Sequence, residues 1–340
     1  MMRALVMRPG SLRVETRPLP EPGAGQVLVR VLACGICGSD LHLFRHAEHY
    51  RDAALQAGVP AAVLDRGVVL GHEFVGEIVR FGTPGDSDLA VGTRVCALPF
   101  LRGAYAHVPM GATPFVDGAY AQYCLLDNAN LLPVPASLPT DAAALTEPLA
   151  IGLHAVNAAN LTREHDAVVI GCGPIGLATI AALAQQGRRA IVASDLSATR
   201  RALALRMGAT RAVDAATTSP FADLAAGSAG RPVSVFDCTG SGSVLETCIQ
   251  HAPHRSEIVV AGISHGSAMI TPATAVAKEL SLRFVSFYSP GEFADALQML
   301  ASGRVDWRPW ITGTTTLEAV REAFLSLADT DGHVKILVKP

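Results

Sequence analysis

The chain is short of charge and of aromatic rings: 17% of its residues are Asp, Glu, Lys or Arg and 5% are Phe, Trp or Tyr. It has no basic excess. The net charge is −3 and the isoelectric point about 6.4, which leaves out the positive footprint that binding to nucleic acid needs. It also has no clean membrane span. The longest uncharged apolar stretch, 167–187, is broken by Gly171, Gly173, Pro174 and Gly176. In spite of a mean hydropathy of +0.33, that stretch reads as strand, tight turn and helix rather than a bilayer crossing. The opening residues, Met1-Met2-Arg3-Ala4-Leu5-Val6, lack the apolar core of a signal peptide and run straight into a strand. Seven cysteines, an odd number with no export signal, predict free thiols in a reducing, cytoplasmic setting.

What is present is a large potential core, since half of the 340 residues are hydrophobic. That length suggests about two domains. Up to about residue 150 the pattern is β-rich. Short alternating runs such as Gln26–Val31 and Phe74–Val79 are separated by Gly- and Pro-rich turns. From about Ala167 strands alternate with helices. Strands are predicted at Ala167–Ile170, Ala190–Ser194, Val233–Phe236, Glu257–Ala261 and Ser281–Val285, and helices at Ile175–Gln186, Ala198–Met207 and Val244–His251. That alternation predicts an α/β fold with a doubly wound parallel sheet. The tail adds helices at Gly291–Ser302 and near Leu317–Leu327, then a strand at His333–Val338.

Four residues from three segments form a plausible zinc shell. Cys37 lies in Cys34-Gly35-Ile36-Cys37-Gly38-Ser39-Asp40-Leu41-His42, His72 and Glu73 lie in Gly71-His72-Glu73-Phe74-Val75-Gly76, and Glu147 opens Glu147-Pro148-Leu149. Three protein ligands with a position left for water or substrate make a catalytic rather than a structural site. Further on, the β-branched run Val168-Val169-Ile170 leads directly into Gly171-x-Gly173-Pro174-Ile175-Gly176 and then a helix-forming series. In a dinucleotide loop the first glycine permits the turn, the second admits the pyrophosphate and the third lets helix and strand pack closely. The pyrophosphate then sits at a helix N-terminus. Asp195, at the end of the second strand, is placed to hold the adenosine ribose hydroxyls. A carboxylate there favours NAD(H) over NADP(H); Arg200 and Arg201, close behind, could stack on adenine or receive a 2′-phosphate. Metal plus nicotinamide points to hydride transfer at a carbon bearing oxygen.

With these motifs in hand, the whole chain resembles the zinc-dependent branch of the medium-chain dehydrogenase/reductase family, and within it the sorbitol and polyol dehydrogenase-like group. The segments Asp117-Gly118-Ala119-Tyr120-Ala121-Gln122-Tyr123 and Lys278-Glu279-Leu280-Ser281-Leu282-Arg283 add to the match. The resemblance implies a GroES-like catalytic domain over 1–150, a Rossmann NAD-binding domain over 151–292, and a segment, 293–340, that returns to the catalytic domain. It places the active site in the cleft between the domains and implies a homodimer or homotetramer. It makes Cys37 and His72 zinc ligands and leaves open whether Glu73 or Glu147 completes the shell. Asp40 would orient His72, a role that most zinc-bound histidines need filled. Ser39 would be the relay hydroxyl and His42 the proton acceptor towards solvent, imidazole being suited to titration near neutrality. Thr239, Gly262, Ile263, Phe287 and Tyr288 match stretches that border the cofactor, and Lys335 is a candidate for meeting its pyrophosphate.

Relatives with a second, structural zinc carry a cysteine cluster after the position of Cys96. Here Ala97–Tyr105 has none, so one zinc per chain is expected. Cys34, Cys172, Cys238 and Cys248 read as small core hydrophobes, and Cys96 and Cys124 are isolated. Thirty-four residues separate Cys37 from His72, an interval that looks long for the family. The extra part, around Ala47–Asp65, either roofs the substrate pocket or forms a solvated surface helix. Leu41, Phe44, Pro99, Phe100 and Phe115 are candidates for an apolar pocket lining.

The expected activity is oxidation of a secondary alcohol, or reduction of its ketone, with NAD(H). A threonine- or sugar-type dehydrogenase of the same branch is the near alternative. The zinc-free quinone and enoyl reductases are disfavoured by intact Cys37, His72 and Glu73. A non-catalytic nucleotide-binding homologue is disfavoured because no ligand or relay residue is lost.

Overall fold

A computed structural model of the protein describes residues 1–340 apart from 84–86, 104–105, 163, 229, 265–266 and 328–331. The chain divides into two compact units, Met1–Glu147 together with Ile311–Pro340, and Pro148–Trp310.

The first unit is built on strands that alternate in and out of one core. The hairpin β1 (Met2–Arg8) and β2 (Ser11–Arg17) turns at Pro9-Gly10, where Gly10 has φ +69°. The ten-residue β3 (Gln26–Gly35) is central to a seven-stranded sheet. It pairs antiparallel with β5 (Glu73–Phe81), with Tyr123–Asp127 and with the C-terminal strand Lys335–Lys339, while β4 (Val68–Val69) pairs with β1. Two registers position the candidate site. Gly35 lies opposite Glu73 across β3 and β5, and Cys34 opposite Val338 on the C-terminal strand. The interval between Cys37 and His72 holds three helices, α1 (Gly38–Arg45), α2 (Ala47–Gln56) and α3 (Ala61–Leu64). The stretch 49–56, whose sequence reads as helical, lies within α2. Phe44, one of the predicted pocket residues, instead packs edge-on against Phe324, with ring centres 5.9 Å apart.

The second unit is a six-stranded, all-parallel sheet in the order third, second, first, fourth, fifth, sixth along the chain. Its strands are Asp166–Ile170, Ile191–Asp195, Arg211–Asp214, Val233–Asp237, Glu257–Val260 and Ser281–Phe284. This is the doubly wound order, whose ligand crevice lies beyond the C-terminal strand ends at the first and fourth strands. Asp166–Ile170 and Val233–Asp237 are buried throughout, as expected of strands covered on both faces. Helix Pro174–Gln185 starts with proline at its N1 position, where no amide hydrogen is lost. Arg211–Asp214, Pro220–Ser228 and Pro272–Ala277 are elements that the hydrophobic pattern did not announce.

Candidate functional site

The site is assembled where β3 ends. The chain leaves that strand at Gly35, turns through Ile36 and Cys37, and enters α1, so Cys37 caps a helix. Asp40, in the first turn, accepts the Cys37 amide hydrogen at 3.1 Å and fixes the thiol's approach. His72 and Glu73 come from the start of β5. Cys37, His72 and Glu73 bring one ligand atom each to within 4.8 Å of one another, the one such group among the described residues. Glu147 lies outside that group. It is 9% exposed and near enough for its charge to strengthen proton binding at His72 and Lys335.

Asp40 organises this corner. It is 2% exposed and accepts the Tyr120 hydroxyl at 2.7 Å and the Gly71 amide at 3.4 Å. Its Oδ1 lies 3.6 Å from His72 Nδ1. Burial pushes the Asp40 carboxyl upward, and the His72 charge and the Tyr120 hydroxyl only partly offset that. Burial lowers the His72 imidazole, but the Asp40 and Cys37 charges outweigh it and leave the net shift well upward. With Nδ1 facing Asp40, Nε2 is the ring nitrogen that could serve a metal, and the Ser39 hydroxyl sits 3.4 Å from it. His42 follows Ser39 by three residues on α1 and lies against His46, the rings tilted with centres 4.3 Å apart.

Glu73 has a partner that the sequence did not suggest. Lys335 Nζ donates to its two carboxylate oxygens at 2.8 and 2.6 Å and to the Ile36 carbonyl at 2.9 Å, and both side chains are 1% exposed. Burial alone would lower the lysine, but Glu73 and Cys37 leave it net raised. Lys335, expected as a candidate for meeting a pyrophosphate, is instead buried against a candidate ligand in the first unit. Gly35 makes the arrangement possible, since a Cβ at that position would occupy the space of the Glu73 carboxylate.

Among the remaining cysteines, Cys34, Cys96, Cys124, Cys172 and Cys248 are buried and Cys238 is partly so. Burial pushes Cys96 and Cys238 up to about 12 and leaves them protonated. Part of the stretch expected to lack a second metal, Ala104-Tyr105, lies outside the described residues.

In the second unit the glycine loop makes a tight turn into a helix. Gly171 has φ +86°, and a Cβ on Gly176 would strike the Gly171 carbonyl. Asp195 accepts the Cys172 amide at 2.6 Å and the Ser197 amide at 2.8 Å, so it ties the loop to the second strand. Arg201 pairs with Asp214 at 3.1 Å and donates to the Asp195 and Leu196 carbonyls. Arg200 runs past Gly173, its Nη1 3.9 Å from where a Cβ would stand. Thr239 donates through its hydroxyl and its amide to Asp237. Gly262 and Ile263 border a depression of about 430 Å³ at the C-terminal ends of the fourth and fifth strands. Phe287 has φ +61° and is exposed, and Tyr288 stacks on Phe293.

Comparison with known proteins identifies the family. Residues 23–136 match the alcohol dehydrogenase GroES-like domain and residues 174–302 the zinc-binding dehydrogenase domain. Sorbitol dehydrogenase of Gallus gallus is 30% identical over 353 residues, covering 99% of this chain and 96% of its own. The crystal structure of 2R,3R-butanediol dehydrogenase from Bacillus subtilis is 30% identical, with TM-score 0.85 and full coverage of both chains. A structure assigned to the zinc-binding dehydrogenases, from Sinorhizobium meliloti 1021 and bound to NADP, is 27% identical over 100% of this chain and 99% of its own, with TM-score 0.84. The chain belongs to the zinc-binding dehydrogenase family, the alcohol dehydrogenase-like oxidoreductases acting on CH–OH groups. Among the described residues no helix is long and apolar enough to cross a membrane.

Proposed function

We propose that the chain oxidises a secondary alcohol to its ketone, or the reverse, with one zinc ion and NAD(H). The observation that carries this is the convergence of Cys37, His72 and Glu73. A thiolate, an imidazole and a carboxylate are a donor set suited to Zn²⁺ in an open catalytic site. Bound there, the metal would polarise the substrate oxygen and ease loss of its proton. The chain's own residues supply the rest. Ser39, beside His72 Nε2, takes the hydroxyl proton and His42 passes it to solvent. The substrate carbon gives up hydrogen with its electron pair to nicotinamide C4, and C–O becomes C=O, so one alcohol and NAD⁺ yield one ketone, NADH and a proton.

The nucleotide would lie along Gly171–Gly176 with Asp195 on the adenosine ribose, and the Asp195 carboxylate supports NAD(H) over its 2′-phosphorylated form. The assignment of the first unit as the catalytic domain and of the second as the nucleotide domain belongs to the same proposal. So does homo-oligomerisation. The edge strand Ser281–Phe284 exposes side chains on both faces, and Phe284 and nearby Val276 are 69% and 75% exposed. An uncovered apolar edge of this kind favours strand pairing with a second copy.

The test is NADH absorbance with a panel of secondary alcohols, each nucleotide in turn, before and after chelation. Activity should require metal and vanish in Cys37→Ser; activity that survives chelation would refute the reading.

A further inference from the structure

Three of the chain's 11 histidines fall within one short stretch, as His42-x-x-x-His46-x-x-His49. Offsets of four and seven put all three on one stripe of a helix. The structure keeps them together although α1 ends at Arg45 and α2 begins at Ala47. The His46 amide donates to the His42 carbonyl at 3.0 Å and the Tyr50 amide to the His46 carbonyl at 3.1 Å, so helical bonds run across the junction. The ring centres of His42 and His46 are 4.3 Å apart, and those of His46 and His49 5.8 Å. His46 and His49 are exposed and His42 is half-buried.

Those separations suit shared coordination. With Zn–N bonds of about 2.0–2.1 Å, two imidazoles on one tetrahedral ion hold their ring centres about 5 Å apart. The two observed pairs fall on either side of that figure. The three rings do not yet bring their nitrogens to one point, as the ligand atoms of Cys37, His72 and Glu73 are brought. Side-chain rotations at the exposed His46 and His49 would close them on an ion. Imidazole ligands suit Zn²⁺, Cu²⁺ and Ni²⁺, whereas Mg²⁺ and Ca²⁺ seek oxygen.

We propose that His42, His46 and His49 form a second transition-metal site, open to solvent and separate from the zinc at Cys37, His72 and Glu73. Its consequence follows from His42. A neutral imidazole has one nitrogen able to accept a proton, and a metal on that nitrogen occupies it. The relay from Ser39 through His42 then stops, so zinc in excess inhibits the enzyme that zinc activates. The site stands on the histidine geometry; the inhibition rests on the proton-relay reading above.

The experiment loads the full chain with one equivalent of zinc and dialyses it against rising Zn²⁺, with metal analysis and NADH absorbance in parallel. Wild type should take up one further equivalent and lose activity as that equivalent fills; Mg²⁺ should do neither. His46→Gln and His49→Gln each remove one ligand. Loss of a group that merely supports a ligand costs a metal site about 10- to 100-fold. Loss of a ligand should therefore raise the Zn²⁺ needed for half-filling, and for halving each variant's own activity, about tenfold or more. His49→Gln, exposed within α2, provides the test independently if a change at the junction disturbs the fold. No second equivalent in wild type, or one that both variants bind as tightly, overturns the site. Uptake that the variants weaken but that leaves activity unchanged overturns the link to His42 and leaves the dehydrogenase reading intact. Failure to oxidise any alcohol with either nucleotide overturns that reading, while dialysis still decides the site.

Discussion

Lys335 holds both carboxylate oxygens of Glu73 across 262 residues of sequence, in a pocket where neither side chain reaches water. The lysine sits on the C-terminal strand and the glutamate at the start of β5, both flanking β3. The pair gives Glu73 two competing claims: the ammonium that holds it and a dication that would share it with Cys37 and His72. Removing the lysine leaves a buried carboxylate without its partner, at a cost of about 3–5 kcal/mol. Lys335→Met should therefore lower the thermal stability of the metal-free protein sharply. Zinc should recover more stability in this variant than in wild type, since the freed carboxylate then has a ligand role. Metal affinity, measured by competition with a chromophoric chelator, should rise, and Lys335→Arg should restore wild-type behaviour on both counts. Unchanged affinity in Lys335→Met would mean that Glu73 is not a direct ligand.

The two glutamates are separated by a second comparison. If Glu73 is the ligand, Glu73→Gln loses zinc while Glu147→Gln keeps it; the reverse pattern assigns the role to Glu147. The cobalt-substituted enzyme reports this directly, because its visible spectrum follows the ligand set without any need for turnover.

Asp40 is expected to act through His72 rather than on substrate. It accepts hydrogen bonds from Tyr120, Cys37 and Gly71 and faces His72 Nδ1. Asp40→Asn removes the charge that favours the correct imidazole tautomer, and metal affinity should fall about 10- to 100-fold. Tyr120→Phe leaves that charge in place and removes one donor to it, together with the bond to the Gly35 carbonyl at 3.2 Å. Its cost should appear mainly as stability, about 1–3 kcal/mol, the scale for leaving a buried acceptor short of a partner. A loss of metal affinity in Tyr120→Phe equal to that in Asp40→Asn would contradict this division.

The metal group and the glycine loop could be read from the sequence because each rests on short-range spacing. Cys37, Ser39 and Asp40 fall within one turn of chain, His72 and Glu73 are adjacent, and Gly171–Gly176 carries its own strand and helix signals. What was not legible depends on distant pairing. Tyr120 reaches Asp40 over 80 residues and Lys335 reaches Glu73 over 262, and a lysine at the head of Lys335-Ile336-Leu337-Val338 looks like the polar end of a surface strand. Short elements escaped for a different reason. Every residue of Arg211–Asp214 is half-buried, so no alternation marks it as a strand, and Pro272–Ala277 is too brief for a helical period to develop.

Asp195 governs the cofactor prediction and carries a structural load as well. In the proposed placement of the nucleotide, its carboxylate would bring like charges close to a 2′-phosphate, a repulsion of about 1–4 kcal/mol between water-like and protein-like surroundings. Wild type should prefer NAD⁺ to NADP⁺ by tenfold or more in kcat/KM. Asp195→Ser should narrow that preference. The same variant gives up the two amide bonds from Cys172 and Ser197, so it should also weaken NAD⁺ binding. A variant that keeps the wild-type preference would show that another group selects the nucleotide.

The helix Pro290–Ala301 supplies a pH-dependent prediction away from the metal. Ser289 caps it by accepting the Glu292 amide at 3.2 Å, while Glu292 reaches back to the Ser289 amide at 2.8 Å. Glu292 also accepts from Asn157 at 3.1 Å and lies 2.9 Å from His154 Nδ1. Burial alone would raise the Glu292 carboxyl, but the Ser289 amide, Asn157 and His154 outweigh it and hold it below its ordinary value of 4.5. A depressed folded-state value means that the native form binds fewer protons than the unfolded chain. The stabilisation is therefore present above 4.5 and is lost as the pH falls through the lower, folded-state value. Ser289→Ala should cost about 1 kcal/mol at neutral pH, read as faster amide exchange across 290–301. Glu292→Gln should speed exchange at neutral pH, and its difference from wild type should shrink in acid, where the native carboxylate also takes up a proton. A difference that stays constant down through that range would mean that the carboxylate charge contributes nothing to holding this helix.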